Sequence, residues 1–259
     1  MKETPDALGA LLARPDIWQA GRNSAANDPR HSLPSGHAAL DAALHQGGWP
    51  RAALTELLAT RWGIGEIQLL APMLAHVSRG QKRIFLVAPP HIPYAPALQT
   101  LGLRLASLVV LSPKSRGELL WSLEQILRSG SCGCLLGWLG QNRDAAEYSS
   151  LRRLQIAARN TAGPVFLFRT PTTGAALSPA ALRIRLEHAP AGLRLQILKQ
   201  RGGRAGQEVL LERPPQLLAP QVLPALLPTF VSGNRQTGAE PASLTPPLIV
   251  PTPPRPALH

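Results

Sequence analysis

The chain has 259 residues, of which 44% are hydrophobic and 16% are charged, and its net charge is +12. This length and composition support one sizeable hydrophobic core with flanking segments. No apolar run is long enough to cross a bilayer, and the first residues lead into no apolar signal segment. We therefore expect a cytoplasmic protein with no membrane partner.

Composition divides the chain into three regions. Residues 1–30 mix proline, glycine, asparagine and aspartate without sustained periodicity, and we expect them to be partly helical or disordered. Residues 31–212 form the predicted folded domain. Residues 213–259 are rich in proline, which removes backbone donors and fixes φ, so they predict an extended tail. Such a tail is either a flexible appendage or a segment that binds a partner.

Strand and helix signals alternate through the predicted domain. A helix at 38–44, capped by Ser35, is followed by a strand at 53–58 and a helix at 66–78. The later elements continue the alternation: a strand at 83–88, a short helix at 97–101, a strand at 108–111, a helix opened by a Ser115–Glu118 capping box, a strand at 132–136, a helix at 145–160 and a strand at 165–168. Repeated βα units predict an α/β fold with a mostly parallel, twisted sheet flanked by helices.

The end of the domain has a different pattern. Residues 182–186 and 193–197 alternate strictly between apolar and polar side chains, and residues 189–192 separate them as a turn. This pattern predicts an antiparallel hairpin with one buried and one solvated face. The solvated face is expected to carry three arginines, namely Arg183, Arg185 and Arg194.

A strand, a glycine-containing loop and a helix follow one another where an α/β domain would bind a nucleotide phosphate. The functional loop has the form Gly-x-x-x-x-Gly-Lys-Ser/Thr: its glycines expose amides, its lysine neutralises phosphate charge and its hydroxyl binds Mg²⁺. Aligned on Gly65, this chain has Thr60 for the first glycine, Glu66 for the lysine and Ile67 for the hydroxyl, with Gly63 inside the loop.

These exchanges argue against nucleotide chemistry. Glu66 replaces an attraction of about 4 kcal/mol, for unit charges 4 Å apart at an effective dielectric near 20, by a repulsion of the same size. The strand at 132–136 leads to Gly137 and Trp138 where an aspartate would position Mg²⁺, and Pro89–Pro90 offers no carboxylate to activate water. We predict no catalytic residue, no cofactor and no ATPase activity.

Two cysteines, Cys132 and Cys134, lie one residue apart in an apolar run. Alternate residues of a strand face the same side, so we expect a buried, reduced pair on one face. Further ligands for a metal or redox role are missing from the neighbouring sequence.

Three short segments at the start of the domain resemble the entry segment of RecA-type recombinases: Ser35–Gly36, residues 40–44 and residues 47–50. Together with the Gly-Ile-Gly-Glu loop and the order of the later elements, they make residues 31–212 similar to the ImuA family of bacterial mutagenesis proteins, some of which are also described as similar to the cell-division inhibitor SulA. The resemblance implies a RecA-like core and a role in the SOS response and translesion synthesis. It also implies contact with DNA and with three proteins: RecA, the Y-family polymerase-like ImuB and an error-prone C-family DNA polymerase subunit.

Positive charge is concentrated in residues 151–212, which hold ten basic and three acidic residues. The resemblance places a DNA-facing loop after the strand at 165–168, with Arg169, Thr172 and Thr173 as candidate contacts. A later turn places three cations around two glycines; the cations are Lys199, Arg201 and Arg204. Such a turn either binds phosphates or is a solvated basic surface. Three helix arginines extend this basic region or face solvent: Arg152, Arg153 and Arg159. The sequence pairs them with no evident aromatic stacking platform, which disfavours single-strand binding.

Two other functions fit parts of the sequence. A RecA-like ATPase with a non-standard loop would show turnover that depends on residues 60–67. A SulA-like module would bind the division-ring polymer and need no DNA. Binding of DNA that weakens steeply with salt would separate the accessory role from the SulA-like role.

Overall fold

A computed structural model describes residues 31–140, 146–171 and 177–212. The predicted segment at 1–30 and the proline-rich tail at 213–259 lie outside the described residues. The described helices are α1 (Ala38–Ala43), α2 (Glu66–Ser78), α3 (Ala95–Thr100), a 3-10 turn (Leu105–Ser107), α4 (Arg116–Arg128) and α5 (Ala146–Ala158). The described strands are β1 (Ser32–Leu33), β2 (Trp49–Pro50), β3 (Leu54–Leu58), β4 (Arg83–Val87), β5 (Leu108–Leu111), β6 (Cys132–Trp138), β7 (Val165–Arg169), β8 (Leu182–Ala189), β9 (Gly192–Gln200) and β10 (Glu208–Glu212).

The main sheet has eight strands in the order β10-β9-β8-β3-β7-β6-β4-β5. Strands β3 to β8 run parallel, and β9 and β10 extend the sheet as an antiparallel edge. The predicted α/β class, the mostly parallel sheet and the hairpin are confirmed. β10 was not predicted, because its five residues begin and end with glutamate and follow a glycine-rich turn.

Helices cover the sheet on both faces, and its central strands are buried on both sides. β3, β6 and β7 are buried along their whole length, as expected for parallel strands. One core packs α1, α2 and α3 against the sheet through Leu40, Leu70, Leu74 and Leu98. A second core packs α4 and α5 against the opposite face through Leu123, Leu127, Leu151 and Leu154.

The strand that carries the phosphate-type loop lies in the middle of this sheet. β3 pairs with β7 on one side and with β8 on the other, both in parallel. Its carboxyl end therefore opens onto a crevice between neighbouring strands, where ligands of open α/β sheets bind. The fold puts the loop at residues 59–65 in this crevice.

Two local predictions are wrong. α1 begins at Ala38 as predicted, but its N-cap residue is His37 and not Ser35, whose hydroxyl instead accepts a hydrogen bond from the His37 amide. Cys132 and Cys134 are buried and reduced, as expected, but they pack in opposite cores. The register of β6 against β4 shifts between Arg83 and Ile84, so Gly133 is an extra residue and the alternation inverts there.

The capping box of α4 forms in part. The Ser115 hydroxyl accepts a hydrogen bond from the Glu118 amide at 3.2 Å, as predicted. The Glu118 carboxylate, however, accepts from the amide of Lys114 at 2.8 Å. Among the described residues, none of the helices has the length and apolarity needed to cross a membrane.

Candidate functional site

The loop between β3 and α2 forms a nest of backbone amides. Gly63 and Gly65 have positive φ values of 79° and 115°, and Gly65 is the residue before the first turn of α2. These left-handed conformations, which glycine adopts readily, turn successive N–H groups toward one point. Such a concavity at a helix N-terminus is a general anion-binding site.

The carboxylate of Glu66 fills this nest. Its Oε1 accepts a hydrogen bond from the Gly63 amide at 2.8 Å, and its Oε2 accepts from Ile64 at 3.0 Å and from Gly65 at 3.2 Å. Glu66 is only 5% exposed. The sequence predicted that Glu66 takes the position of a phosphate-binding lysine; in the structure its carboxylate lies within the amide nest itself.

Local forces favour this arrangement. Glu66 is the first residue of α2, where a negative charge interacts favourably with the helix dipole. Hydrogen bonds to an ionised acceptor are about twice as strong as neutral ones. The amide nest therefore holds an anion that belongs to the chain itself.

Aromatic rings fill the neighbouring carboxyl ends of β6 and β7. Trp138 stacks on Phe168 with ring centroids 4.5 Å apart, and Trp62 meets the same ring edge-on at 5.9 Å. Trp138 is the last residue of β6 and, with Gly137, one of the two positions where the sequence has no aspartate to position Mg²⁺. An apolar stack at this point offers no oxygen ligand, whereas Mg²⁺ requires oxygen ligands.

Two hollows, of about 280 and 700 Å³, flank the nest. Among the described residues, neither is lined by a lysine or an arginine. Thr60 and Arg61 are exposed, and Ile67 is partly buried against the first core. The described linings of the two hollows thus supply no lysine or arginine for a triphosphate.

A second polar cluster lies inside the sheet around Glu56. This residue is fully buried in the middle of β3. Its Oε1 accepts hydrogen bonds from Arg169 at 2.7 Å and from the Ser178 hydroxyl at 2.9 Å, and its Oε2 accepts from Arg183 at 2.7 Å. One carboxylate paired with two guanidinium groups leaves the cluster with a net charge of +1.

This cluster changes the interpretation of two arginines. Arg169 is 4% exposed, and its ion pair with Glu56 argues against the DNA contact predicted for it. Arg183 was predicted on the solvated face of the hairpin, but its side chain is only 15% exposed and turns inward to Glu56. Desolvation of the carboxylate explains both positions, because a buried charge requires paired partners.

Of the remaining predicted DNA contacts, three are exposed on the surface and two lie outside the described residues. Lys199, Arg201 and Arg204 are exposed around the end of β9. The Lys199 Nζ donates to the carbonyl oxygen of Ser178 at 2.7 Å, which fixes it beside the Glu56 cluster. Burial, with the nearby charges of Arg183 and Arg201, lowers the pKa of Lys199. Thr172 and Thr173 lie outside the described residues.

Two features were missed from the sequence: Glu56 as the centre of a buried ion-pair cluster, and the shared face of Tyr148 and Arg152 on α5. The available signal for Glu56 was a lone glutamate in an apolar strand, Leu-Thr-Glu-Leu-Leu, which requires a buried partner. For α5, the spacing of Tyr148 and Arg152 by one helical turn predicts a shared face. Among the described residues, histidine, cysteine, aspartate and glutamate side chains form no group that could hold a metal ion.

Comparison with models of protein families finds no match to this chain, and comparison with curated proteins finds none either.

Proposed function

We propose that this chain is a non-catalytic, RecA-like accessory protein of SOS-induced mutagenic translesion DNA synthesis, acting through contacts with proteins and DNA. The observation that carries the proposal is the Glu66 carboxylate in the amide nest. A phosphate would have to displace it from three hydrogen bonds and would then face two hollows whose described linings contain no lysine or arginine. In such a protein, the loop and its crevice maintain the fold and do not hydrolyse a nucleotide.

The sheet supports a RecA-like core. The strand before the loop is central, later strands join it on both sides, and the antiparallel hairpin closes one end. The segment that carries the family resemblance packs against the same helix as the loop. A Cβ atom added at Gly36 would lie 2.3 Å from Cβ of Pro72 in α2, and the Ser35 amide donates to Asp41 at 2.8 Å. Only glycine fits this approach, which supports the resemblance to the ImuA family.

The proposed partners are RecA, the Y-family polymerase-like ImuB and the error-prone C-family polymerase subunit. Immobilised full-length chain is incubated with each purified protein without nucleotide, and the division-ring polymer protein serves as the comparison. We expect capture of at least one of the three partners and no capture of the division protein. Capture of the division protein alone would favour the SulA-like function and overturn the proposal.

A further inference from the structure

The surface between α5 and the end of β9 brings together cations that lie far apart in sequence. Arg152 of α5 and Arg159, which directly follows α5, face Lys199 and Arg201 across a hollow of about 440 Å³. Its described lining contains these four basic residues and no aspartate or glutamate. We call this hollow, with its four basic residues, the basic groove.

The groove continues into a second hollow of about 340 Å³. The two share Gln155, Arg159, Ala181 and Arg201, so they form one continuous track. The second hollow adds Arg51, and its described lining also holds no carboxylate. Along α5, the eleven residues from Tyr148 to Ala158 span about 15 Å at the helical rise, and Arg159 follows directly.

The positive charge of the groove is not neutralised by the buried carboxylate next to it. Glu56 lies beneath Lys199, but its carboxylate is already paired with Arg169 and Arg183. The lowered pKa of Lys199 has burial as its main cause, with the positive charges of Arg183 and Arg201 adding to it. Among the described residues, Arg152, Arg159 and Arg201 have no carboxylate within ion-pair distance. A surface of this kind attracts polyanions and releases their counterions.

An aromatic ring stands at one end of these cations. Tyr148 lines the groove one turn before Arg152 and is 43% exposed, and Ile156, also in the lining, is 55% exposed. Tyr148 was missed from the sequence as an aromatic platform beside the basic residues, and the fold places it in the same lining. Cations that follow a phosphate backbone, combined with an exposed ring for a base, are the elements of single-strand recognition.

We propose that the basic groove binds single-stranded nucleic acid, with Arg152, Arg159, Lys199 and Arg201 on phosphates and Tyr148 stacking on a base. This inference rests on the DNA contact in the proposed function and specifies its surface and its strand preference. It places binding on α5 and β9, apart from the buried Arg169 and from the amide nest. A duplex, whose bases are already stacked in pairs, cannot offer a base to Tyr148.

The test measures fluorescence anisotropy of the full-length chain with labelled (dT)20, (U)20 and a 20-base-pair DNA duplex across a salt series, with polyglutamate as competitor. We expect tighter binding to single strands than to the duplex. The variants are Y148A, Y148F, R152A/R159A and K199A/R201A, and the control is R79A, an exposed arginine at the end of α2. Folding of each variant is checked by circular dichroism and thermal melting.

The groove predicts distinct effects. Y148A should weaken single-strand binding at least fivefold, as expected when a base stack is removed, while Y148F retains it. Each double arginine or lysine variant should reduce the slope of log K against log salt by about 0.7 for every phosphate that it no longer neutralises. R79A should bind as the wild type does. Preference for (dT)20 or for (U)20 then assigns the strand to DNA or to RNA.

Three results would overturn the inference: no single-strand binding, equal binding of duplex with no effect of Y148A, or displacement by polyglutamate at lower concentration than by (dT)20. The last result would assign the groove to an acidic protein segment. Because these measurements involve neither the nest nor the protein partners, failure here leaves the partner-capture experiment intact, and the two failures are distinguishable.

Discussion

The guanidinium of Arg169 lies 2.7 Å from the carboxylate of Glu56, and both side chains are at most 5% exposed. The pair joins β7 to β3 at the centre of the sheet, and Arg183 joins β8 to the same carboxylate. Side chains from three strands therefore meet at one carboxylate. The cluster ties β3 and β7, in the helix-covered part of the sheet, to β8, the first strand of the hairpin.

Removing the carboxylate should be strongly destabilising. E56A would leave two guanidinium groups with little solvent access and without their partner, and removal of one member of a buried pair costs about 3–5 kcal/mol. Urea denaturation measures the free energy of unfolding. The control is R128A, which breaks an ion pair with Glu124 by removing a side chain that is 60% exposed, and its cost should stay within about 1 kcal/mol. Equal stabilities of the two variants would refute the structural role of Glu56.

The close approach of Gly163 to Gly133 fixes how the loop before β7 meets the bulge of β6. A Cβ atom at Gly163 would lie 1.6 Å from the carbonyl oxygen of Gly133, a backbone atom that cannot rotate away. G163A should therefore cost roughly 3 kcal/mol in the free energy of unfolding. The matched control is G117A in α4, where the nearest atom is 3.9 Å from the added Cβ. That change should be neutral or stabilising by up to about 1 kcal/mol, because alanine favours the helix.

The two cysteines should resist thiol reagents in the folded protein. Burial raises the pKa of Cys132 to about 12, and burial together with neighbouring Cys132 raises the pKa of Cys134. The thiolate is the reactive form. At pH 8 the two thiols should therefore react with a disulfide reagent only when the protein unfolds, and both should react once denaturant is added. Fast reaction without denaturant would contradict the burial of both side chains.

The same thiols predict how stability depends on pH. An unfolded cysteine loses its proton near pH 9, whereas folded Cys132 keeps its proton to about pH 12. The unfolded state therefore binds fewer protons in this window, and stability falls as the pH rises, by about 1.4 kcal/mol per pH unit for each buried thiol. Urea denaturation between pH 9 and 11 should show a shallower decline for C132A/C134A than for the wild type. An identical decline in both proteins would contradict this account.

Local signals in the sequence were sufficient where one segment determines its own structure. The bounds of α2 were predicted at both ends, because Gly65 stops the loop and an apolar run follows Glu66. The β5 bounds were also predicted. Features that depend on distant segments were not: the bulge at Gly133 inverts the strand alternation, and the partners of Glu56 come from strands more than a hundred residues away.

The candidate site shows the same division. The exchange of lysine for Glu66 is visible in the sequence, but the return of its carboxylate to the amides of Gly63, Ile64 and Gly65 depends on the loop conformation. In the same way, Arg152 and Arg159 were visible as charges, whereas their position opposite Lys199 required the sheet order.

The most direct test of the central claim is calorimetric titration of ATP·Mg²⁺ into the full-length protein. We expect no binding by the wild type up to about 1 mM, because its own carboxylate occupies the amide nest. E66A, which opens the nest, should gain weak, millimolar affinity for phosphate-containing ligands, and E66Q, which keeps the size of the side chain, should gain less. Tight, micromolar binding by the wild type that E66A weakens would contradict the account.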